Sequence, residues 1–521
     1  MQLCGKKSGY RGWTRCQICS IWLWIKFKNA IIGAKISLFP FPINPPPFKG
    51  GLGGIFLMIP HSQFPKVVKI LCLSNGHGED AIAVRLIKEL QQQPNPPEIA
   101  VLPLVGEGRA YAQLENVPVI GPVKQMPSGG FIYMEGRQLW QDLKGGLLEL
   151  TLAQLKAIAA WVDSQRETGE RIIVLAVGDI VPLIFAWKSG ADYVFVGTAK
   201  SEYYLRNEKG LLRRRSCWER LESWSGSVYL PWERWLMRRE RCKGVFPRDG
   251  LTARVLQEKS IPAYDLGNPM MDGLEPENPT PLIYGVELEK RELRRSLAIT
   301  LLPGSRSPEA YANWEIILEA VEGLIEGFPH RRLIFLAAIA PSLSLDTFAR
   351  QLENMGWSCD GVAKSQTQAG SSQLPVVNPE GAIASRFVAQ LPLTFTRRNG
   401  TLTLNCQAFN DFIHQGNVAI AMAGTATEQF VGLGKPAIAI PGSGPQFTPA
   451  FAEAQGRLLG SSLILVKKPR QVVGAIKYLL RNPHKLEAIA SNGRRRMGEA
   501  GASRRIAEFI VGMESSGASQ F

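Results

Sequence analysis

The first sixty residues contain no acidic residue, although they carry eight lysines and arginines. The rest of the chain holds 52 basic and 45 acidic residues, so the net charge of +15 falls to +7 without this segment. So weak a positive charge argues against a dedicated nucleic-acid binder and is compatible with an acidic membrane surface as a partner.

Long uninterrupted apolar runs are lacking as well. The most apolar part of the leader, CSIWLWIKFKNAIIGAKISLFPFP, is broken by Lys26, Lys28 and Lys35 and is unsuited to a transmembrane helix. We expect residues 1–62 to be disordered or untranslated, with Met58 as a candidate true start. An interfacial anchor or a targeting segment is the alternative.

Sets of cysteines or acidic residues spaced to bind a metal ion are also missing. The eight cysteines are scattered, and Cys16-x-x-Cys19 has no second pair to complete a zinc site. This pattern is typical of a reducing compartment rather than of a disulfide framework. No Asp-x-Asp pair is set to bind a metal ion, so we expect no metal site.

What the chain does contain is an alternation of apolar strands and amphipathic helices that begins near residue 66. This alternation predicts an α/β fold with parallel sheets covered on both faces. The Pro- and acid-rich stretch EPENPTPLIYGVELEK predicts an interdomain linker. We expect an N-terminal domain at 63–275, a linker at 276–295, a C-terminal domain at 296–482 and terminal helices at 483–521.

Three local patterns refine this organisation. VPVIGPV, residues 117–123, predicts a further strand of the first sheet. Asn399-Gly400, set between alternating residues, predicts a β-hairpin. Residues 360–390 predict a flexible insert in the second domain.

A strand in the second half ends in LLPGSRSPE. Open α/β sheets bind ligands outside such carboxyl ends. Gly304 permits a close backbone approach, Ser305 lies in the same turn, and Arg306 suits phosphate oxygens. An ordinary βα turn with a surface arginine is the alternative.

A second strand of the same half runs into AMAGTATEQF. Gly424 and Thr425 lie where the strand becomes a helix, and a helix start favours a diphosphate. Glu428, one turn in, is suited to accept hydrogen bonds from a ribose diol. A threonine N-cap with a helix-start glutamate is the alternative. Both motifs together predict a nucleotide-diphosphate site.

These motifs, with GKPAIAIPG and the interdomain LGNPMMDGL, resemble lipid-A-disaccharide synthase and, more closely, the synthase-related proteins of cyanobacteria. The resemblance spans roughly residues 66–510. It implies a GT-B fold, in which two Rossmann-like domains face a cleft. It further implies a UDP-linked sugar donor held by the C-terminal domain, with Arg306 and the Gly424–Thr425 turn on the diphosphate and Glu428 on the ribose. An acceptor would be held by the N-terminal domain.

The N-terminal motif departs from the synthase, since SNGHGED replaces its Gly-Glu-x-Ser-Gly-Asp turn. His77 stands where several GT-B enzymes keep a general base, and a histidine titrates near neutral pH. Bracing of the loop is the alternative role. Glu79 lies in the same turn. Asp179, at the end of LAVGD, is the other candidate base, with a helix N-cap as its alternative.

Three further residues are candidates for roles at the cleft because of their position in the sequence. Gln446, in GSGPQFTPAFAEAQ, is expected to meet the donor sugar, or else to lie in a plain loop. Asn268 and Asp272 match the hinge motif, where the synthase has histidine in place of Asn268. We expect both to shape the cleft rather than to do chemistry.

Residues 205–243 form an insert rich in arginine and tryptophan, including Trp218, Trp224, Trp232 and Trp235. Such a segment can stack on bases, lie at a membrane interface or bury its tryptophans. The lipid-linked resemblance favours the membrane interface.

The sequence therefore predicts a cytoplasmic, peripheral-membrane GT-B glycosyltransferase. It would use a UDP-sugar and a lipid-linked or acylated-sugar acceptor, without a bound cofactor or metal ion and without nucleic acid. A UDP-sugar 2-epimerase and a non-catalytic nucleotide- or lipid-binding scaffold are the alternatives.

Overall fold

The computed structural model describes residues 68–124, 146–167, 169–212, 224–277, 296–362, 392–442, 444 and 447–516. The predicted leader, nearly all of the linker and nearly all of the insert at 360–390 lie outside these residues. Part of the Arg/Trp segment, 213–223, also lies outside them.

The N-terminal domain is built on a sheet of five parallel strands. Its first four strands are β1 (Val68–Ser74), β2 (Glu98–Pro103), β3 (Arg171–Gly178) and β4 (Asp192–Gly197). A short hairpin of β5 (Arg206–Asn207) and β6 (Gly210–Leu211) precedes the last strand, β7 (Cys242–Pro247). The strand order is β2-β1-β3-β4-β7. Leu71 and Leu73 of β1 pack into the core on one face, and Ile70 and Cys72 into the core on the other. The sheet is therefore buried on both sides, as continuous apolar strands require.

Helices connect these strands. They are α1 (His77–Gln91), α2 (Leu147–Arg166), α3 (Ile180–Lys188), α4 (Pro231–Met237) and α5 (Gly250–Gln257).

The strand predicted at 117–123 is wrong. This segment forms only an isolated parallel bridge, in which Val119 stands opposite Val101 of β2. Pro118 and Pro122 have no N–H to donate to a ladder, and Val119 and Val123 are exposed. The apolar run therefore lines the sheet edge without extending the sheet.

The C-terminal domain contains an eight-stranded sheet. Its strands are β8 (Leu297–Leu302), β9 (Leu333–Ala338), β10 (Ser358–Val362), β11 (Leu393–Arg397), β12 (Gly400–Asn405), β13 (Val418–Ala421), β14 (Ala437–Ala439) and β15 (Leu463–Leu465). The order is β10-β11-β12-β9-β8-β13-β14-β15. Strands β12 to β15, with β8 and β9, are parallel, whereas β10 and β11 pair antiparallel. The parallel part has the Rossmann order 3-2-1-4-5-6.

The hairpin predicted near Asn399-Gly400 is confirmed, since β11 and β12 pair antiparallel. Its turn lies one residue earlier than predicted. Arg398 and Asn399 form the turn, with Arg398 at φ 52°, and Gly400 already pairs with Arg397.

Helices also cover both faces of the second sheet. They are α6 (Glu309–Gly327), α7 (Leu345–Asn354), α8 (Phe409–Gln415), α9 (Thr425–Gly432), α10 (Pro449–Leu459), α11 (Gln471–Arg481), α12 (Pro483–Met497) and α13 (Ala502–Ser516). The last helix returns to the N-terminal domain, where Ile506, Ala507 and Ile510 enter the core beside α1.

The two domains meet at the carboxyl ends of their strands. Arg248, directly after β7, pairs with Glu428 in the first turn of α9 at 2.5 Å. Gln429 also donates a hydrogen bond to the Met270 carbonyl at 3.0 Å. The structure thus confirms the predicted α/β class and GT-B arrangement, with two Rossmann-like domains facing each other. Within the described residues, no helix combines the length and apolar character needed to cross a membrane.

Candidate functional site

In the C-terminal sheet, the direction of chain winding reverses between β8 and β13. These two strands are hydrogen-bonded neighbours, with Leu302 opposite Ala421 at their carboxyl ends. The Gly304 turn and the Gly424 helix start therefore lie side by side. This is the topological switch point at which open α/β sheets bind ligands.

Close packing joins the two turns. Gly304 has φ 104°, and a Cβ atom there would approach the Met422 carbonyl oxygen to 3.3 Å. Asn313, on α6, donates to the carbonyls of Pro303 at 3.0 Å and Met422 at 3.5 Å. A side chain at position 304 would be strained in backbone and in space, so this turn requires glycine. Sequence analysis missed Asn313, whose side-chain amide links the two turns.

The start of α9 is open. Gly424 is its N-cap residue, and no side chain caps the helix. Thr425 is exposed, whereas buried Thr427 donates its hydroxyl to the Ala423 carbonyl at 2.6 Å and does not cap. Gln455, on α10, donates to the carbonyls of Ala423 and Gly424 at 3.1 and 3.2 Å and fixes the turn. The uncapped backbone and the positive end of the helix dipole favour an anion here.

Ser305 and Arg306 are exposed beside this helix start. The carboxylate of Glu309, buried at the first position of α6, accepts a hydrogen bond from the Phe447 backbone at 2.7 Å. The loop that follows β14 is thereby anchored next to the Gly304 turn. Gln446 itself lies outside the described residues. Phe447, the next residue, is buried.

Glu428 lies at the interface between the domains and is largely buried, with 11% of its side chain exposed. Its partner is Arg248, which donates from Nη2 to Oε2. Glu428, the residue predicted to bind the ribose, is therefore paired with a positive charge from the opposite domain. Sequence analysis missed Arg248. Its signal is the charged pair Arg248-Asp249 placed directly after an apolar strand.

The N-terminal sheet has its own switch point, between β1 and β3, and it brings two predicted residues together. Asp179, after β3, accepts hydrogen bonds at Oδ1 from the Val181 backbone at 2.9 Å and from Asn75 at 3.0 Å. Asp179 is thus the N-cap of α3, as its alternative role stated. Gly178 has φ 135°, and a Cβ atom there would lie 3.2 Å from Glu79 Cγ.

Glu79 is held against this strand end, and its Oε1 lies 3.5 Å from the Thr198 hydroxyl. Burial, with the neighbouring charge of Asp179, raises the pKa of Glu79 from 4.5 to about 7. A carboxyl group in this range can both accept and release a proton near neutral pH.

A buried polar chain supports the same turn. Ser74 donates to Asp80 Oδ1 at 2.5 Å, and its hydroxyl lies 2.6 Å from that of Tyr111. The backbone of His77 begins α1, and its side chain lies outside the described part of the structure. Asp80 thus braces the turn that presents Glu79.

The hinge residues have structural roles. Asn268 accepts a hydrogen bond from the Met270 backbone at 3.1 Å. Asp272 accepts three from the backbone of Gly501, Ala502 and Ser503 at 2.6, 3.1 and 2.7 Å. Asp272 therefore caps α13 and ties the hinge to the helix that returns to the first domain. No group of three or more His, Cys, Asp or Glu side chains among the described residues could hold a metal ion.

Fold and switch points define an α/β protein of the GT-B class. No family model matches the chain, and no match was found among curated proteins. Solved structures of similar shape include UDP-GlcNAc 2-epimerase from Neisseria meningitidis bound to UDP-GlcNAc (15% identity, 85% of this chain and 100% of that one, TM-score 0.45). They also include Acinetobacter baumannii MurG (14%, 86% and 100%, 0.45) and the calicheamicin glycosyltransferase CalG4 (11%, 88% and 100%, 0.49). These values are too low to assign an activity or a ligand to this chain.

Proposed function

We propose that this protein is a glycosyltransferase that moves a sugar from a UDP-sugar to a lipid-linked or acylated-sugar acceptor, similar to lipid-A-disaccharide synthase. One observation carries the proposal. The Gly304 turn and the uncapped start of α9 lie side by side at a Rossmann switch point. A further feature supports the transfer step, because the opposing domain presents a carboxyl group with a pKa of about 7 at its own switch point.

The donor would bind at the C-terminal switch point. Backbone groups of Gly304, Ser305 and the Gly424–Thr425 turn would contact the diphosphate, and Arg306 would pair with its oxygens. Glu428 would accept from the ribose diol through the carboxylate oxygen that does not receive Arg248. Gln446 would meet the sugar.

Catalysis would use the N-terminal switch point. His77, Glu79 or Asp179 would remove the proton from an acceptor hydroxyl, whose oxygen then attacks the anomeric carbon of the donor. The bond from that carbon to the diphosphate breaks, and UDP leaves with its charge stabilised by Arg306 and the start of α9. Among the three, Glu79 has a pKa suited to this task, whereas Asp179 uses its Oδ1 to cap α3. The scheme invokes no metal ion and no cofactor.

Product analysis tests the proposal. The purified chain would be incubated with UDP-sugars and a lipid extract, and products would be identified by mass spectrometry. We expect release of UDP together with a glycosylated lipid, lost in Arg306→Ala and in Glu79→Gln. Release of UDP that does not depend on added lipid would contradict the proposed reaction.

The two carboxyl groups at the N-terminal switch point favour one second candidate, a UDP-sugar 2-epimerase. Epimerisation requires groups that remove and return a proton, and Glu79 lies near Asp179. This enzyme would change the sugar of the UDP-sugar without any acceptor. A non-catalytic scaffold would bind UDP but would neither transfer the sugar to an acceptor nor epimerise it.

A membrane surface is the partner that the helices α3 and α4 favour. Trp235 is 43% exposed and packs edge-on against Trp187, with ring centroids 5.4 Å apart. The guanidinium of Arg239 lies 4.0 Å from the Trp235 ring centroid, and Lys188 lies 5.0 Å from that of Trp187. Tryptophan beside cations suits an interface with anionic lipid. The protein would then be cytoplasmic and peripheral.

Vesicle sedimentation tests this partner. We expect binding to vesicles that contain phosphatidylglycerol, weaker binding to phosphatidylcholine alone, and a loss of binding in Trp235→Ser/Arg239→Ser. Tyr478, an exposed aromatic residue of α11 with Lys485 beside its ring, lies in the other domain and provides a matched control in Tyr478→Ser. Equal binding of the double variant and the wild type would contradict this surface.

A further inference from the structure

We propose that Arg248, a residue of the N-terminal domain, is a positioning residue of the nucleotide site in the C-terminal domain. It holds the Glu428 carboxylate, so that recognition of the ribose depends on closure of the two domains. This inference rests on the proposed function, because it assumes that a nucleoside diphosphate binds at the start of α9.

Arg248 is fixed by its own domain. It lies directly after β7 with only 4% of its side chain exposed, and its Nη1 donates to the Thr198 carbonyl at 3.3 Å. The next residue, Asp249, caps α5 by accepting from the Thr252 backbone at 2.8 Å. The guanidinium therefore has a defined position before the C-terminal domain contributes anything.

The other partner comes from the opposite domain. Glu428 stands in the first turn of α9, and its Oε2 receives Nη2 of Arg248 at 2.5 Å. The Arg248 Nε is buried and has no hydrogen-bond partner among the described residues. The pair is thus a charged contact that links the strand ends of the two sheets at the candidate donor site. Removing one partner of a buried pair leaves the other charge uncompensated.

The geometry couples two events. A carboxylate has two oxygens, and Arg248 donates to only one of those of Glu428 in this structure. With Oε2 fixed by Arg248, the second oxygen is held in one orientation for a ribose diol. When the domains separate, Glu428 loses both its counter-charge and its fixed orientation. By reciprocal linkage, the nucleotide favours the closed pairing as much as the pairing favours the nucleotide.

The test compares Arg248→Met, which keeps the length of the side chain without its charge, with the charge swap Arg248→Glu/Glu428→Arg. Calorimetric titration measures UDP affinity, and small-angle scattering without ligand measures the radius of gyration. We expect Arg248→Met to bind UDP roughly tenfold more weakly and to have a larger radius of gyration. The swap should restore the radius but not UDP binding, because a guanidinium cannot accept from the ribose.

Controls separate this inference from its alternatives. Arg495 makes an exposed ion pair with Glu208, also between the domains, so Arg495→Met should change neither readout. If Arg248→Met does not fold, as judged by circular dichroism, Arg248→Lys serves in its place and should show a smaller loss in the same direction.

Each remaining outcome has a defined meaning. Wild-type affinity and radius in Arg248→Met would overturn this inference alone. A wild-type chain that fails to bind UDP would overturn the proposed function and, with it, the nucleotide role of Arg248. Recovery of UDP binding in the charge swap would show that the pair only closes the domains and would overturn the positioning role.

Discussion

Glu79 is the residue whose protonation matters most to this account. Its carboxyl group is buried beside Asp179, and its pKa is raised from 4.5 to about 7. Folding therefore stabilises its protonated form. The stability that this group contributes is fully present below pH 4.5 and is lost as the pH rises through about 7.

Glu79→Gln should remove this pH dependence, because glutamine resembles the protonated carboxyl group. We expect the free energy of unfolding of the variant, relative to the wild type, to rise by about 2 kcal/mol between pH 5 and pH 8. Urea unfolding at the two pH values measures this difference.

If Glu79 is the catalytic base, the turnover rate of the wild type should rise with pH through about 7. The turnover rate of Glu79→Gln should be lower by roughly 100-fold or more.

Glu89→Gln, on the same helix, is the matched control for this experiment. It makes the same chemical change on α1, away from the N-terminal switch point. If Glu79→Gln keeps a constant difference from the wild type across the range, the carboxyl group is not protonated as described here.

Gly304 makes a second prediction at this scale. Its φ of 104° is unfavourable for a residue with a side chain, and a Cβ atom 3.3 Å from the Met422 carbonyl oxygen would be tightly packed. Gly304→Ala should lower the free energy of unfolding by about 1–2 kcal/mol and weaken UDP binding. Thermal unfolding with and without UDP measures both effects.

Gly474 offers the control, since it lies in α11 and a methyl group added at this position would meet no atom within 4 Å. Gly474→Ala should be neutral or stabilising by up to about 1 kcal/mol. Equal stability in the two variants would show that the Gly304 turn is not constrained.

For single residues, the sequence predicted which residues lie at the candidate site better than it predicted which residues they contact. Gly304 and Gly424 could be predicted as turn residues, because a glycine directly after an apolar strand indicates a tight turn. The pairing of Glu428 with Arg248 could not be predicted, since the two residues are 180 positions apart and lie in different domains. Asp179 could be either a cap or a base from sequence, and only the Val181 contact shows that it caps.

At the scale of elements, Asp272 links the hinge to α13. Its two carboxylate oxygens accept from three backbone groups at the start of that helix. Asp272→Ala should therefore cost about 1–2 kcal/mol of stability. It should also speed hydrogen exchange at residues 501–503, which mass spectrometry would detect.

Asp163, exposed on α2, is a control in which only a surface ion pair is lost. Asp163→Ala should change stability by less than about 0.5 kcal/mol. Slow exchange at residues 501–503 in Asp272→Ala would mean that packing on α1 alone holds α13.

Most strands and helices followed from apolar periodicity, because buried parallel strands are continuous apolar runs. The pattern failed at residues 117–123, where prolines remove donors at the sheet edge. The terminal helices were predicted, whereas the exact surface on which α13 packs is set by tertiary contacts that an amphipathic pattern does not encode.

For the whole molecule, the alternation of strands and helices predicted two α/β domains, and the resemblance to lipid-A-disaccharide synthase implied that they are Rossmann-like. The 3-2-1-4-5-6 order of the second domain bears this out. The order of the strands in each sheet could not be predicted from the sequence, because it depends on contacts between distant segments. That order is what turns two weak motifs into one candidate site, as it makes the ends of β8 and β13 neighbours.

The most direct test of the central claim is a calorimetric titration of the full-length chain with UDP, alongside Arg306→Ala and the control Arg350→Ala on the exposed face of α7. The account predicts one UDP bound per chain, at least roughly tenfold weaker binding in Arg306→Ala and unchanged binding in Arg350→Ala. A wild-type chain without affinity for UDP, or an Arg306→Ala variant that binds it equally well, would contradict the account.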